Sequence, residues 1–179
     1  MIQTAKSGIN DNGNIWLMWG WMVLAASLSQ YVMLELKMGA WSTIGWILMP
    51  IGGIVTFIYF MMQGKKATVK THVDQFMTTL WTSFGISIAL IIFFVSQADR
   101  ELIMPLCIIL YGIGTYTSGG ALKFRPLRIG GLICFACATM AFTCPLKYQL
   151  ILISIAVVAS YIVPGYLLKS QFNKKVSNV

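Results

Sequence analysis

The chain alternates long apolar runs with short polar segments, and the length of the runs predicts its architecture. The six runs lie at 14–34, 40–62, 76–95, 102–122, 129–146 and 149–168. About 20 apolar residues, each rising 1.5 Å along an α-helix, are enough to cross the ~30 Å hydrocarbon layer of a bilayer. The pattern therefore predicts an all-α polytopic membrane protein, in which the single domain 1–179 is a bundle of six transmembrane helices.

Proline and small residues modify two of these predicted helices. Pro50 lies inside the second run, where it removes a backbone donor and clashes with the preceding turn, so we expect a kink at 47–50. Pro164-Gly165 is expected to bend the last turns of the sixth helix. The first run passes the small residues at 25–27 without a break, which favours a spanning helix over a cleaved signal peptide.

The composition agrees with the membrane class. Of the 179 residues, 58% are hydrophobic and 10% are charged, whereas soluble domains are about 45–50% apolar and about 25% charged. The formal net charge of +8 does not predict nucleic-acid binding, because the basic residues lie at the ends of the apolar runs. Trp16 and Trp41, also close to the ends of runs, fit the aromatic belts of the two membrane interfaces.

The distribution of basic residues predicts an orientation. With six crossings, one side of the membrane holds the N-terminus, the second and fourth loops and the C-terminal tail. The basic residues on this side are Lys6, Lys65, Lys66, Lys70, Lys123, Arg125, Arg128, Lys169, Lys174 and Lys175. The other side holds Lys37, Arg100 and Lys147. Because cytoplasmic loops are enriched in Lys and Arg, both termini are predicted to be cytoplasmic.

The loops on the predicted cytoplasmic side form a first candidate site, an interface with partners or with anionic lipid headgroups. Its members are Lys65, Lys66, Lys70, His72, Lys123, Arg125 and Arg128. His72 is the only histidine and stands two residues before Asp74. Residues two apart do not face each other on a helix, so an interfacial residue at a helix start is favoured over acid–base or metal chemistry.

Small hydroxylated residues form a second candidate site. Thr79, Ser83 and Ser87 follow one another at four-residue spacing in the third predicted helix, and Thr115 and Ser118 lie in the fourth. Such residues let membrane helices approach closely and hydrogen-bond across the contact. The same five side chains would also suit the lining of a route for a small polar solute. Helix packing is the favoured interpretation, and the sequence leaves both open.

Several chemical classes are disfavoured by the sequence. No Asp, Glu, Lys, Arg or His lies in the interior of a predicted helix, although ion-coupled transporters, proton relays and voltage sensors use such residues. The sequence contains no phosphate loop, zinc-protease motif, nucleophile elbow or paired carboxylates. We therefore predict that the chain is not an enzyme and has no cofactor.

The cysteines do not change this prediction. Cys134 and Cys137 have the C-x-x-C spacing of redox proteins, but they lie inside an apolar helix, where a thiolate is disfavoured and cysteine packs as a small hydrophobic residue. No metal or redox role is predicted for them. Cys107 and Cys144 lie near the same ends of their predicted helices, so a disulfide in an oxidising periplasm stays open from the sequence.

Six short motifs are distinctive when taken as a set. They are Trp81-Thr82-Ser83-Phe84-Gly85-Ile86, Tyr111-Gly112-Ile113-Gly114-Thr115, Gly119-Gly120, Lys123-Phe124-Arg125-Pro126, Gly130-Gly131-Leu132-Ile133-Cys134 and Pro164-Gly165. Together they span most of the chain, which resembles an uncharacterised family of small six-helix inner-membrane proteins of Bacteroidetes-type bacteria. The resemblance implies a multi-pass protein of the bacterial inner membrane and implies no activity or site residue.

The favoured functional hypothesis is a non-enzymatic accessory or interaction component of the membrane. Such a protein would work through another membrane protein or as a homo-oligomer, by means of its small-residue helix faces. The alternative is a facilitator for a small neutral solute, which would use the hydroxylated residues as a route. A dry bundle centre would count against the alternative, and a water-filled seam would support it.

Overall fold

The structure is a computed structural model that describes residues 2–64 and 72–177. In these residues it contains six helices and no strand. The helices are α1 (Ile2–Glu35), α2 (Gly39–Ile47 followed by Leu48–Gly64), α3 (His72–Leu90, Ile91–Val95 and Ser96–Ala98 in succession), α4 (Ile103–Ala121), α5 (Arg125–Ala141) and α6 (Leu146–Val157, Val158–Ile162 and Val163–Ser177 in succession). The all-helical prediction is confirmed for this part of the chain.

Five of the six helices contain a segment long enough and apolar enough to cross a membrane. These segments are Gly13–Glu35, Trp41–Tyr59, His72–Val95, Arg100–Ala121 and Leu146–Ser170. The exception is α5, which has only 17 residues and is therefore about 25 Å long. The six predicted helices are present, and five of them meet the length and hydropathy of a spanning helix.

Prolines explain why α5 begins and ends earlier than predicted. The sequence places this helix at 129–146, but the structure places it at Arg125–Ala141. Pro126 occupies the first turn, where a missing N–H costs no helical hydrogen bond, so the helix begins upstream of the position predicted for it. Pro145 disfavours helical backbone in the residue before it, and the chain turns there before α6 begins at Leu146.

Helix α2 changes type close to Pro50, where the sequence predicts a kink. Its first part, Gly39–Ile47, is a 3₁₀-helix, and its second part, Leu48–Gly64, is α-helical. Pro50 therefore stands in the first turn of the α-helical part, where its missing N–H needs no partner. A 3₁₀ run of nine residues is unusually long. It is held on α1 by Trp46, whose indole Nε1 donates to Gln30 Oε1 at 2.6 Å.

Helices α4, α5 and α6 approach so closely that glycine is required at their contacts. A methyl group added at Gly119 would lie 2.7 Å from the backbone nitrogen of Arg128, and one at Gly130 would lie 2.6 Å from the carbonyl oxygen of Ala159. These neighbours are backbone atoms, which cannot rotate away as a side chain can. Glycines therefore hold α5 against α4 on one side and against α6 on the other, the small-residue packing typical of membrane helices.

Helix α1 completes this central bundle by packing along α6. A methyl group added at Gly20 would lie 2.9 Å from the side chain of Ile162, and one at Gly165 would lie 2.9 Å from that of Leu17. In an 18-residue apolar stretch of the Leu146–Ser170 segment of α6, 61% of the residues are buried inside the fold. Helix α6 is thus the central helix, with α1, α4 and α5 packed around it.

Helices α2 and α3 lie at the periphery of the bundle. Helix α2 packs on α1, and α3 packs mainly on α4. No residue of the His72–Val95 segment of α3 is fully buried, and in the Trp41–Tyr59 segment of α2 only 11% of an 18-residue apolar stretch is buried. Both helices therefore keep most of their surface free of contact with the described part of the chain.

The antiparallel helices bring their charges to two opposite ends of the bundle. At one end Glu35 of α1 forms an ion pair with Lys147 of α6, and this lysine also lies 5.7 Å from the ring centroid of Tyr31. At the other end Gly13 of α1 lies beside Gly165 of α6. The second end also holds the α4–α5 turn, because α5 runs antiparallel to α6.

The glycine contacts predict opposite effects for two neighbouring substitutions. Gly119→Ala should destabilise the fold by about 1–3 kcal/mol, the usual cost of overpacking a tight contact. Gly120→Ala places its methyl group in open space and should stabilise helix α4 by up to about 1 kcal/mol, because alanine favours the helix over glycine. Reversible unfolding in mixed micelles, followed by tryptophan fluorescence, measures both.

Both variants replace glycine with alanine, at adjacent positions of the same helix. Each is therefore a control for the other. Equal changes in the unfolding free energy of Gly119→Ala and Gly120→Ala would contradict the close approach of α4 and α5.

Candidate functional site

The hydroxyl side chains of α3 lie on its outer surface. Thr79 and Ser83 are exposed and Ser87 is half-buried. Thr79 Oγ1 donates to the carbonyl oxygen of Gln75 at 3.0 Å, and Ser83 Oγ donates to that of Thr79 at 2.9 Å. Their neighbours Thr78 and Thr82 are also exposed and also donate to carbonyl oxygens four residues earlier. Hydrogen bonds of this kind satisfy a hydroxyl inside its own helix.

The hydroxyl side chains of α4 lie instead in the centre of the bundle. Thr115 and Ser118 are fully buried, with 0% exposure. The thiol of Cys134 on α5 lies next to the hydroxyls of Thr115 and of Ser160 on α6, and both Cys134 and Ser160 are 0% exposed as well. We call these four residues, Thr115, Ser118, Cys134 and Ser160, the inner seam.

The structure therefore does not bring together the five hydroxylated residues of the second candidate site. The face of α3 that packs against α4 is its aromatic face, because Trp81 and Phe84 lie against Gly114 of α4. A contact formed by large aromatic rings buries much more surface than one formed by threonine and serine. Thr79 and Ser83 consequently point away from Thr115 and Ser118, and no single route is lined by all five.

An aromatic cluster that the sequence analysis did not predict joins four helices. Trp16 of α1 packs edge-on against Trp81 of α3, with ring centroids 5.2 Å apart, and lies 4.9 Å from Tyr161 of α6. Tyr161 and Tyr111 of α4 are 5.6 Å apart, and Phe84 of α3 lies 5.3 Å from Tyr111. Trp16 is only 6% exposed, so the prediction that it belongs to an interfacial belt is wrong.

Two buried hydroxyls near the bundle centre have no hydrogen-bond partner in the described part of the chain. They are Ser118 Oγ of the inner seam and Tyr161 Oη of the aromatic cluster. Tyr161 belongs to the π-helical turn Val158–Ile162 of α6, and such turns occur often at functional sites. A buried polar group without a partner is costly, and Gln149 Oε1 is a third such group among the described residues.

Hydrogen bonds between side chains connect α1 with its neighbours. Ser27 of α1 and Ser154 of α6 share a buried hydrogen bond of 2.8 Å. Trp19 Nε1 of α1 donates to Thr56 Oγ1 of α2 at 3.1 Å. No hydrogen bond between these residues was predicted from the sequence. An uncharged polar residue inside an apolar run, such as Ser27, was the available signal, but its partner lies 127 positions away.

The side chain of Gln149 caps the end of α5. Its Nε2 donates to the carbonyl oxygens of Cys144, at 2.9 Å, and of Ala141, at 3.2 Å. The last carbonyl groups of a helix have no partner within it, and in lipid they cannot turn to water. Gln149 is 2% exposed and is therefore a structural residue that ties the turn between α5 and α6 together.

The cysteines are free thiols in the structure. Cys107, Cys134 and Cys137 are buried and Cys144 is half-buried, and none forms a disulfide. The possible Cys107–Cys144 pair is therefore not present. No group of His, Cys, Asp and Glu side chains in the described residues is arranged to hold a metal ion.

The basic residues of the first candidate site divide into two groups. Lys65, Lys66 and Lys70 lie outside the described residues, and His72, the first residue of α3, is exposed. Lys123, Arg125 and Arg128 are exposed around the α4–α5 turn. Arg128 places its guanidinium 5.5 Å from the ring centroid of Tyr116, a cation–π contact.

An apolar groove runs along the outer surface between α1 and α6. Its volume is about 370 Å³, and it is lined by Leu24, Ser154, Ile155, Val158, Ala159 and Val163. The hydroxyl of Ser154 already donates to the carbonyl oxygen of Leu150 at 2.8 Å and bonds Ser27. The groove therefore offers apolar contact, which suits an acyl chain rather than a polar solute.

Comparison with known proteins gives no match. No family model matches the chain, and neither the curated proteins nor the solved structures contain a significantly similar chain. The resemblance to small inner-membrane proteins of Bacteroidetes-type bacteria therefore stays a prediction from the sequence. The function of the chain has to be inferred from the contacts and exposure of its own residues.

Proposed function

We propose that the chain is a multi-pass membrane protein without enzymatic activity that works by associating with a second membrane protein or with a copy of itself. The observation that carries this proposal is the exposure of α3. Its segment His72–Val95 has no fully buried residue, yet the outer surface of its first half holds four hydroxylated side chains. We further propose that both termini are cytoplasmic and that the membrane is a bacterial inner membrane.

The exposed face of α3 has the composition of a helix-packing face rather than a lipid-facing one. Thr78, Thr82, Gly85 and Ala89 follow one another at spacings of four, three and four residues, which aligns them along one stripe. A methyl group added at Gly85 would meet nothing within 4 Å. Elsewhere in the bundle, as at Gly119 and Gly130, glycine lies where a neighbouring helix approaches.

Helix α2 supports the same proposal. It packs on α1 mainly through its first part, Gly39–Ile47, and through the hydrogen bonds of Trp46 and of Trp19. Its outer surface includes Gly53, which has open space around it, beside the exposed apolar residues Ile54 and Phe57. The two peripheral helices together offer surface for a partner, while the four central helices are already packed.

The contacts within the inner seam favour a packed core over a route for a solute. The hydroxyls of Thr115 and Ser160 donate to backbone carbonyl oxygens at 2.7 Å each, and the thiol of Cys134 lies 3.7 Å from the carbonyl oxygen of Ala156. Side chains that are satisfied by their own backbone have no donor to offer a passing solute. The alternative of a solute facilitator rests on Ser118 and Tyr161, whose buried hydroxyls have no partner.

The association proposal predicts a protein contact at Thr82. A photoreactive benzophenone residue at position 82, in the full chain in its native membrane, should give a light-dependent adduct larger than the 19.9-kDa chain. Two differently tagged copies of the chain show whether the adduct contains a second copy or another protein. The matched control places the same residue at Leu132, which is exposed on the outer surface of α5 and should react with lipid alone.

Equal protein adducts at positions 82 and 132 would show random collision, and no adduct at position 82 would show a lipid-facing α3. Either result would contradict the proposed association surface.

The packed inner seam predicts slow thiol labelling in its centre. In variants that keep one cysteine each, Cys144 should react with a water-soluble maleimide in intact membranes, because it is half-buried near a helix end. Cys134 is 0% exposed and should react only after detergent unfolds the bundle, since the reactive thiolate needs water. If Cys134 reacts as fast as Cys144 in the membrane, the seam holds water and the solute route replaces the packed core.

A further inference from the structure

The second half of the chain has an unbalanced distribution of charge. From Leu102 to Val179 the sequence contains no Asp or Glu. The basic residues of this half cannot be neutralised within it and must find counter-charges elsewhere. Lys147 does so, because it pairs with Glu35 of α1. Lys123, Arg125 and Lys169 are exposed and have no ion-pair partner among the described residues.

The two ends of the bundle differ in their balance of acidic and basic side chains. The end with the Glu35–Lys147 ion pair balances its charges, with basic Lys37, Arg100 and Lys147 against acidic Glu35, Asp99 and Glu101. The opposite end holds Lys123, Arg125, Arg128 and Lys169 against Asp74, among the side chains that the structure describes. A concentration of uncompensated exposed cations attracts anions.

The short length of α5 fixes the depth of these cations in a membrane. With 17 residues it is about 25 Å long, less than the ~30 Å thickness of the hydrocarbon layer. A helix shorter than the layer draws the headgroup region toward its ends. If α5 spans the bilayer, Arg125 and Arg128, in its first turns, therefore lie at the level of the lipid phosphates rather than in bulk water.

The neighbours of the α4–α5 turn hold it in place. Phe124 is 8% exposed and anchors the turn in the hydrophobic core, and its backbone nitrogen donates to the carbonyl oxygen of Gly119 at 2.9 Å. The ring of Tyr116 supports the guanidinium of Arg128. Lys123, Arg125 and Arg128 are all exposed within six residues of this anchored turn.

From these observations we infer that the α4–α5 turn is a binding surface for the phosphate of an anionic phospholipid headgroup. This inference rests on the proposed membrane insertion and is independent of any partner at α3. Arginine matches a phosphate with two parallel hydrogen bonds, and lysine adds a mobile point charge. The turn supplies both, with no carboxylate of its own to compete for them.

A matched pair of double variants tests the inference. Lys123→Gln/Arg125→Gln removes two charges from the α4–α5 turn, and Lys37→Gln/Arg100→Gln removes two from the balanced end. All four residues are exposed, and Lys37 and Lys123 occupy equivalent turns, with φ of 54° and 51°. Purified full chain is offered equal amounts of phosphatidylglycerol and phosphatidylcholine, and retained lipids are counted by native mass spectrometry.

The wild-type chain should retain phosphatidylglycerol in preference to phosphatidylcholine. Each juxtamembrane cation strengthens such binding about fivefold. In the Lys123/Arg125 variant the ratio of retained phosphatidylglycerol to phosphatidylcholine should therefore fall roughly 25-fold. The Lys37/Arg100 variant should keep the wild-type preference within about twofold. Raising the salt concentration should weaken the wild-type preference, since exposed charges are screened.

Three results would overturn the inference. They are retention of both lipids without preference, equal losses in the two double variants, and displacement of the phospholipid by millimolar inorganic phosphate, which would show a site for free phosphate. Retention of neither lipid would also overturn the inference, and it would leave the proposed membrane insertion intact, because insertion does not require a tightly held lipid.

Discussion

Backbone contact at glycine positions is the constraint on which the rest of the structure depends. Lipid tails are as apolar as leucine, so helices in a bilayer are held together by close packing rather than by escape from water. Helix α5 is held in this way on two sides, through Gly119 of α4 and through its own Gly130 against α6. The buried inner seam and the position of the α4–α5 turn both follow from these two contacts.

The sequence predicted the helices better than it predicted their faces. The lengths of the apolar runs gave six all-α elements, because helix length is set by local composition. The sequence did not show that Trp81 faces the bundle and Thr79 faces outward. In a soluble protein the polar side chains mark the outer face of a helix, but in lipid polarity does not mark that face. Contacts such as Ser27–Ser154 join residues 127 positions apart, a distance over which one sequence carries no signal.

The functional interpretation follows from the contrast between centre and periphery. The centre is filled, and the donors of Thr115 and Ser160 are used within their own helices. The outer surface of the peripheral helix α3 is mostly free of contact with the described part of the chain, because no residue of its segment His72–Val95 is fully buried. A packed centre beneath a hydroxyl-rich outer helix supports the proposal that the protein binds at its sides rather than passing a solute through its middle.

The most direct test of this account is the environment of Thr82 in the native membrane. A nitroxide spin label at that position reports both its mobility and its accessibility to dissolved oxygen, which is concentrated among lipid tails. We expect an immobilised label with low oxygen accessibility at position 82, compared with the same label at Leu132 on the outer surface of α5. A mobile label with the same high oxygen accessibility as at position 132 would contradict it, because α3 would then face lipid alone.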